Sequence, residues 1–375
     1  LMDGQKKLAE DRIVSILGSN IISDASEYYN TEPRGNYTGF ATKVIKPESV
    51  TQVSVVLSIL NEMRIGVVPF SGGTGLVGGQ IAPGDDFFIM SLEKMRTVRN
   101  ISIDDGLLTV EAGVVLSNIH DEAKKINRIF PLSLASQGSC QIGGNLATNA
   151  GGINVVRYGS ARDLCLGIEA VFADGKIYNG LSGLIKDNTG YDLKNLLIGS
   201  EGTLGVITAA TLKTFPKAEE TIVSIIQVKN PRDAVILLRL VRQVFDNHLQ
   251  AFELLNKKGL EFLERFNFSF HEPFSSRGEW MILAEIAGPS LFDLKVKFEN
   301  TLSDALEQNY IIDAVIAQNE TQAKNLWYIR ENMSEANRRM GAVCSSDVSV
   351  PIAKISSFIE SAEMRVKSFS KDLQI

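Results

Sequence analysis

An α+β protein in two domains is what this sequence predicts, and three observations predict it. The chain has 375 residues, more than one hydrophobic core ordinarily organises. Its first part carries three glycine clusters, at residues 71–79, 136–152 and 201–207. Beyond Pro216 the texture changes to long strands alternating with amphipathic helices, which is the pattern of helices packed on an antiparallel sheet. The expected domains are therefore 1–215 and 216–375, with the helices of the second on one face of its sheet.

Composition narrows the class. Hydrophobic residues at 44% and charged residues at 22% describe a soluble globular chain. A net charge of -6 argues against a general nucleic-acid binder, whose footprint would be basic. A local arginine could still hold an anion. Cys140, Cys165 and Cys344 stand singly, with neither metal spacing nor a disulfide framework, which fits a reducing compartment. No apolar run reaches the length of a membrane span, and the start has no signal-peptide apolar region. A cytoplasmic location is the expectation.

Taken in order, residues 5–17 form a helix with Leu8, Ile13, Val14, Ile16 and Leu17 on its apolar face. A short strand ends at Pro47, and Ser49 caps a helix that runs to about Met63 and buries Val53, Val56, Leu57 and Leu60. Residues 65–70 make a buried strand leading into the first glycine loop. Residues 87–91, 98–103 and 107–112 are strands, and 116–125 a helix. Residues 166–172 and 176–178 form a hairpin around an Ala-Asp-Gly turn. A polar turn at 187–193 enters a short helix, and the strand 209–214 stops at Pro216. In the second domain, strands are expected at 221–228, 250–254 and 280–286. Helices are expected at 233–247, 257–266 and 291–307.

The glycine clusters carry the chemistry. Of residues 136–152, five are Ser, Thr or Asn, five are Gly, and none is charged. Neither a helix nor a strand gains from such a run. It offers backbone N–H groups and small hydroxyls to a flat, phosphorylated ligand, here a large nucleotide cofactor. Gly73, Gly75 and Gly78 match a dinucleotide-binding GxGxxG, but Pro83 and Gly84 deny the helix that this motif must open. No Gly-Lys-Ser/Thr follows, which excludes a Walker A loop. What remains is a strand feeding a loop able to hold pyrophosphate, or a glycine hairpin with no ligand.

Four motifs together resemble a known family: Pro69-x-x-Gly72-Gly73-Thr74-Gly75-Leu76-Val77-Gly78-Gly79, Gly138-Ser139-Cys140-Gln141-Ile142-Gly143-Gly144-Asn145-Leu146-Ala147-Thr148-Asn149-Ala150-Gly151-Gly152, Lys186-Asp187-Asn188-Thr189-Gly190-Tyr191-Asp192-Leu193 and Gly199-Ser200-Glu201-Gly202-Thr203-Leu204-Gly205. They are similar to those of the FAD-linked D-2-hydroxy-acid dehydrogenases, flavoproteins of the p-cresol methylhydroxylase/vanillyl-alcohol oxidase type. Within that group the likeness is to D-2-hydroxyglutarate and D-lactate dehydrogenases, with the glycolate oxidase flavin subunit more distant. The resemblance implies a two-lobed FAD-binding domain followed by an α+β substrate (cap) domain with an antiparallel sheet, truncated at its C-terminus. It implies FAD held without a covalent link, since His120, His248 and His271 lie outside the glycine loops and Cys140 reads as a small packed residue. By the same resemblance, Ser71, Gly72, Gly73, Thr74 and Gly75 hold the pyrophosphate. Ser139, Ile142, Gly143, Gly144, Thr148, Asn149, Gly151 and Gly152 line the cofactor, and Glu201, Gly202 and Ile207 close its far side.

The implied reaction is oxidation of a D-2-hydroxy acid to the 2-oxo acid, with hydride passing to the flavin. Electrons then go to a separate acceptor: an electron-transfer flavoprotein, a quinone or a cytochrome. A small-molecule hydroxy acid is the implied substrate, and a homodimer is one open arrangement. Residues 325–334 resemble the family's substrate segment, which makes Arg330 the carboxylate clamp and Ser334 a donor one turn on. Two departures stand out. Ser345 occupies a position where a lysine is usual, and the family's His-rich metal motif is absent, so a divalent metal would require residues beyond Ile375. No catalytic base is identified. Two alternatives stay open: an FAD-binding module without independent catalysis, and a flavoenzyme of the same fold with a different substrate.

Overall fold

The structure is a computed structural model that describes residues 2–341, 344 and 346–370. It divides into two compact units. One comprises the residues through Gly152 together with Tyr158–Lys217, and the other Ile153–Arg157 and the residues from Ala218 on. The expected boundary thus falls in a two-residue strand, Phe215–Pro216.

The first unit opens with α1 (Met2–Leu17), β1 (Ile22–Asp24), α2 (Glu27–Asn30) and β2 (Lys43–Ile45), followed by α3 (Val50–Glu62), β3 (Val67–Phe70) and β4 (Phe88–Ser91). Ser49 caps α3, its side chain accepting from the Gln52 amide at 3.3 Å, a cap that stabilises a helix by about 1 kcal/mol. The four strands are ordered β1-β2-β4-β3, with β2 and β3 both parallel to β4. Val53, Val56 and Leu60 of α3 pack with Ala9 and Ile13 of α1 over Phe88 and Met90 of the sheet. The inward face of α1 differs from the expected one. Lys6, Ala9 and Ile13 are buried, while Leu8 and Ile16 point to solvent.

A second lobe of the same unit follows: β5 (Val98–Ser102), β6 (Leu107–Glu111), α4 (Leu116–Lys125), β7 (Arg128–Ile129), α5 (Ile142–Ala147), β8 (Cys165–Val171), β9 (Ile177–Gly180), α7 (Leu193–Leu197), β10 (Val206–Lys213) and β11 (Phe215–Pro216); the short α6 (Val155–Tyr158), between α5 and β8, belongs to the second unit but for its last residue. Five of these strands form an antiparallel sheet ordered β5-β6-β10-β8-β9, and β7 pairs with β11. Leu116, Ile119, Ile142 and Leu146 cover it, packing on Val110, Ile168 and Ala210. The helix α5 corrects the expectation that the central glycine run would avoid helix. Its glycines are there for packing: a Cβ on Gly143 would meet the Ala112 side chain at 2.7 Å and one on Gly144 the Ser71 carbonyl at 2.8 Å. Close tertiary approach, worth more than local propensity, selects glycine there.

The second unit contains β12 (Glu220–Val228), α8 (Pro231–Phe245), β13 (Leu249–Asn256), α9 (Lys257–Arg265), β14 (Trp280–Gly288), α10 (Leu294–Glu307), β15 (Asp313–Ile316), α11 (Glu320–Arg339) and α12 (Ile355–Phe369). Its antiparallel sheet is ordered β13-β14-β12-β15. Helices cover both faces, not one. Ile222, Ile226, Ile282 and Ile286 meet α8 and α10 through Leu237, Val241 and Phe298. On the opposite face Val223, Ile225, Met281 and Leu283 meet α9 and α11 through Leu260, Leu263 and Ile329. Successive strand residues point to opposite faces, so burial of both explains why β14 is apolar almost throughout and why β12 places Ile and Val on both sides. Ser345 and Ile375 lie outside the described residues.

Candidate functional site

The site forms where the first two glycine clusters meet. At the end of β3, Ser71 Oγ accepts the Gly144 amide at 3.0 Å and lies 3.2 Å from Gln141 Oε1. The chain then turns through Gly72 (φ 80°) and Gly73 (φ 62°), a left-handed pair that favours glycine. A Cβ on Gly72 would lie 2.8 Å from the Ser139 carbonyl. Gln80 clasps the loop from outside, accepting from the Gly75 amide at 3.1 Å and donating to the Gly73 carbonyl at 3.2 Å. The amides of Gly72, Gly73 and Thr74 donate to no other described residue. Successive backbone N–H groups left free in a turn make an anion-binding concavity.

Behind this turn lies a cavity of about 260 Å³. Phe70, Leu92, Leu134, Val206 and Ile207 supply apolar wall, and Ser71, Thr74, Asn145 and Thr148 supply polar groups. Neither Lys, Arg nor His lines it, and Glu201 is its single ionisable residue. Asn145 is only 6% exposed, and its Oδ1 is buried without a hydrogen-bond partner among the described residues. A buried acceptor left unsatisfied is expensive, so this oxygen marks where a ligand donor belongs.

Of the residues expected to hold a cofactor, the cavity gathers Ser71, Thr74, Gly75, Gly143, Gly144, Thr148, Glu201, Gly202 and Ile207. Others stand elsewhere. Gly72 and Gly73 build the turn. Ile142 is fully buried in the core of the second lobe. The Ser139 hydroxyl donates to the Ser136 carbonyl at 3.3 Å on an exposed turn. Asn149 acts as a clip, its Oδ1 accepting from Ser160 Oγ at 2.8 Å and the Arg162 amide at 3.0 Å. Gly151 is exposed, and Gly152 packs against the Ser133 carbonyl. The amides of Gly143 and Gly144 are used within the protein, on the Ala112 carbonyl and Ser71 Oγ. Those glycines therefore serve close packing, and the free donors lie at Gly72–Thr74. Phe70, Leu92, Leu134 and Asn145 were not expected as lining residues.

No histidine or cysteine lines the cavity. His120 bonds to the Leu132 carbonyl, and burial lowers its pKa. Burial pushes the Cys165 thiol up to about 12. Cys140 is 1% exposed within the core. Among the described residues no group of His, Cys, Asp or Glu could hold a metal ion, and no helix is long and apolar enough to cross a membrane.

In the second unit, Arg330 sits half-buried on α11, with its Nε donating to Glu253 Oε2 of β13 at 2.8 Å. One turn earlier, Trp327 Nε1 donates to Glu285 Oε2 of β14 at 2.7 Å. Ser334 is exposed one turn further on.

Two family models match the chain: an FAD binding domain over residues 41–180 and the C-terminal domain of FAD linked oxidases over residues 217–374. A D-2-hydroxyglutarate dehydrogenase of Xanthomonas citri is 31% identical over 93% of this chain and 72% of its own length. The chain belongs to the FAD-linked D-2-hydroxy-acid dehydrogenase family. A mitochondrial D-2-hydroxyglutarate dehydrogenase of Arabidopsis thaliana is 36% identical, over 94% of this chain and 63% of its own. For the probable rice counterpart the figures are 38%, 94% and 64%, so this family member spans under two thirds of those plant relatives. Among solved structures, an alkyldihydroxyacetonephosphate synthase superposes with a TM-score of 0.74 at 17% identity, over 98% of this chain and 76% of its own. A p-cresol methylhydroxylase does so at 0.67 and 18%, over 88% and 72%. These likenesses establish the fold of this FAD-linked dehydrogenase family, and the cofactor of its first domain is FAD.

The residues present fit that cofactor. The free amides of Gly72, Gly73 and Thr74 match the acceptor oxygens of a pyrophosphate. The partnerless Asn145 oxygen suits an N–H on a heterocycle, and the apolar walls suit a flat ring.

Proposed function

We propose that this protein oxidises a D-2-hydroxy acid to the corresponding 2-oxo acid and passes the electrons to a separate acceptor. The observation that carries the reading is the cavity at Ser71, Thr74 and Asn145, with its free amides and its orphaned acceptor, in a chain whose relatives are named as dehydrogenases of this substrate class.

Bound FAD supplies a hydride acceptor for the substrate carbon that carries the hydroxyl. The protein's own residues bind and orient. Gly72, Gly73 and Thr74 donate to the pyrophosphate, and Asn145 accepts from the ring. Phe70, Leu134 and Ile207 keep water from the ring face. Arg330 clamps the substrate carboxylate through its guanidinium, for which bidentate pairing gives both strength and orientation, and Ser334 adds a donor. D-2-hydroxyglutarate, D-lactate and glycolate are the substrates to try, and an electron-transfer flavoprotein, a quinone or a cytochrome the acceptors. A homodimer and a cytoplasmic location complete the reading.

A second reading stays open. No residue is assigned as the base, and that reading is an FAD-binding module without independent catalysis. The visible spectrum decides between them, recorded anaerobically before and after each hydroxy acid is added. Bleaching by one acid supports the dehydrogenase and names its substrate. A flavin spectrum that none of them bleaches supports the module. A colourless protein that FAD cannot reconstitute removes both.

A further inference from the structure

The helix α11 is tied to the sheet beneath it by two polar links spaced one turn apart. Trp327 Nε1 reaches Glu285 on β14 at 2.7 Å, and Arg330 Nε reaches Glu253 on β13 at 2.8 Å. Gln250 donates to Glu285 from the same side of the sheet. The second link uses only one edge of the guanidinium. Arg330 makes its sole described hydrogen bond through Nε, so Nη1 and Nη2 donate to no other described residue. A guanidinium has two bidentate edges: the side edge, Nε with one Nη, and the end fork formed by the two Nη groups. Glu253 takes only the Nε of the first and leaves the second open.

We propose that Glu253 is a positioning residue for Arg330, holding the side edge so that the Nη1–Nη2 fork is presented end-on to a carboxylate ligand. This rests on the reading of Arg330 as the substrate clamp. A long arginine side chain carries about 2 kcal/mol of rotamer entropy, and ordering it before the ligand arrives removes part of that loss from binding. Glu253 also brings a negative charge that opposes an anionic ligand. The side chains of Arg330 and Glu253 are 32% and 25% exposed, so solvent screens that repulsion more than it weakens a direct hydrogen bond. Charge and positioning act in opposite directions and can be separated.

The test compares Glu253→Gln with Glu253→Ala in the full-length holoenzyme. Both variants remove the charge, but only glutamine retains an acceptor for Arg330 Nε–H. The probe is 2-oxoglutarate, whose Kd is read from its perturbation of the visible flavin spectrum, alongside KM and kcat for D-2-hydroxyglutarate. Flavin content and melting temperature are controls. The expected result is a Kd and KM about tenfold higher in Glu253→Ala than in Glu253→Gln, a difference of about 1.4 kcal/mol, with kcat within about threefold. Equal affinities in the two variants would show that Glu253 contributes charge alone and would overturn the proposal. It would also fall if both variants lost flavin and melted early, because Glu253 would then be a structural strut. Arg330→Lys tests the reading underneath: wild-type affinity in that variant means the clamp is misassigned, whereas weakened affinity there with equal Glu253 variants leaves the clamp standing without its positioner.

Discussion

Ser71 Oγ accepts the amide hydrogen of Gly144 at 3.0 Å, and the Ser71 carbonyl oxygen lies 2.8 Å from where a Cβ on residue 144 would sit. The strand end that leads into the Gly72–Gly73 turn and the helix that lines the cavity therefore meet backbone to backbone. Gly144→Ala must move one of them. The expected loss is about 1–3 kcal/mol, typical of overpacking a tight contact, with reduced flavin content. Urea denaturation and visible absorbance per protein measure both, and unchanged values in the two would deny that this contact shapes the site.

Asn145→Ala separates holding the ligand from holding the fold. It removes a buried acceptor that has no partner, so apoprotein stability should stay within about 1 kcal/mol of wild type. FAD affinity should fall about tenfold, as expected for one lost hydrogen bond to a buried acceptor. Fluorescence titration of the apoprotein with FAD reads the outcome.

Arg330→Ala should lower kcat/KM for the hydroxy acid on the order of a hundredfold or more while leaving the flavin bound, as expected for loss of a charged bidentate contact. Steady-state kinetics and the visible spectrum check the two halves. Flavin loss in this variant would mean that Arg330 supports the fold instead.

Burial raises the pKa of Glu285, against the hydrogen bonds of Trp327 and Gln250 and the nearby Arg157 charge. Below the ordinary carboxylate range, Glu285 is neutral in the folded and unfolded chains alike and its ionisation contributes nothing to stability. As pH rises through that range the unfolded chain ionises first. Stability then declines until the raised folded value is passed, after which the penalty is constant. Glu285→Gln removes the ionisation, so its melting temperature relative to wild type should be higher at about pH 8 than at about pH 4. A difference that does not change with pH would contradict a raised carboxyl.

The three thiols should differ in reactivity. Cys140 and Cys165 are buried and Cys344 is exposed, and the Cys165 thiol is pushed up to about 12. Native protein treated with iodoacetamide should take one adduct, at Cys344, and denatured protein three. Intact mass and peptide mapping count them.

Much of this was legible in the sequence where local chemistry governs. The Ser49 cap, the buried stripe Val53, Val56, Leu57 and Leu60, the helix Leu116–Lys125 and the Ala-Asp-Gly hairpin all stand as expected. The second domain's helix placement was not legible, since apolar residues on both faces of β12 and β14 read equally well as one strongly hydrophobic face. The short edge strand β15 left too brief a pattern to detect. In α1, the small Ala9 faces inward while the larger Leu8 does not, a choice made by the packing of α3. At the site, glycine clusters betrayed themselves because close backbone approach leaves a compositional trace. Phe70, Leu92 and Leu134 could not, because an apolar cavity wall is indistinguishable in sequence from core. Arg330 came from a motif, but its partner Glu253 lies 77 residues away in the chain, and no local pattern joins them.

The double covering of the second sheet also bears on how the chain is made. β12 carries Ile222, Val223, Ile225, Ile226 and Val228 among its nine residues and a single acidic side chain, a β-branched composition that self-associates when left unpaired. Both of its neighbours, β14 and β15, follow it in sequence. During synthesis, β12 leaves the ribosome with neither flank nor either face protected until the later strands and helices emerge. The feature that makes this sheet stable once complete is thus a hazard while it is being assembled, because open strand edges and apolar faces can pair with other chains until they are covered.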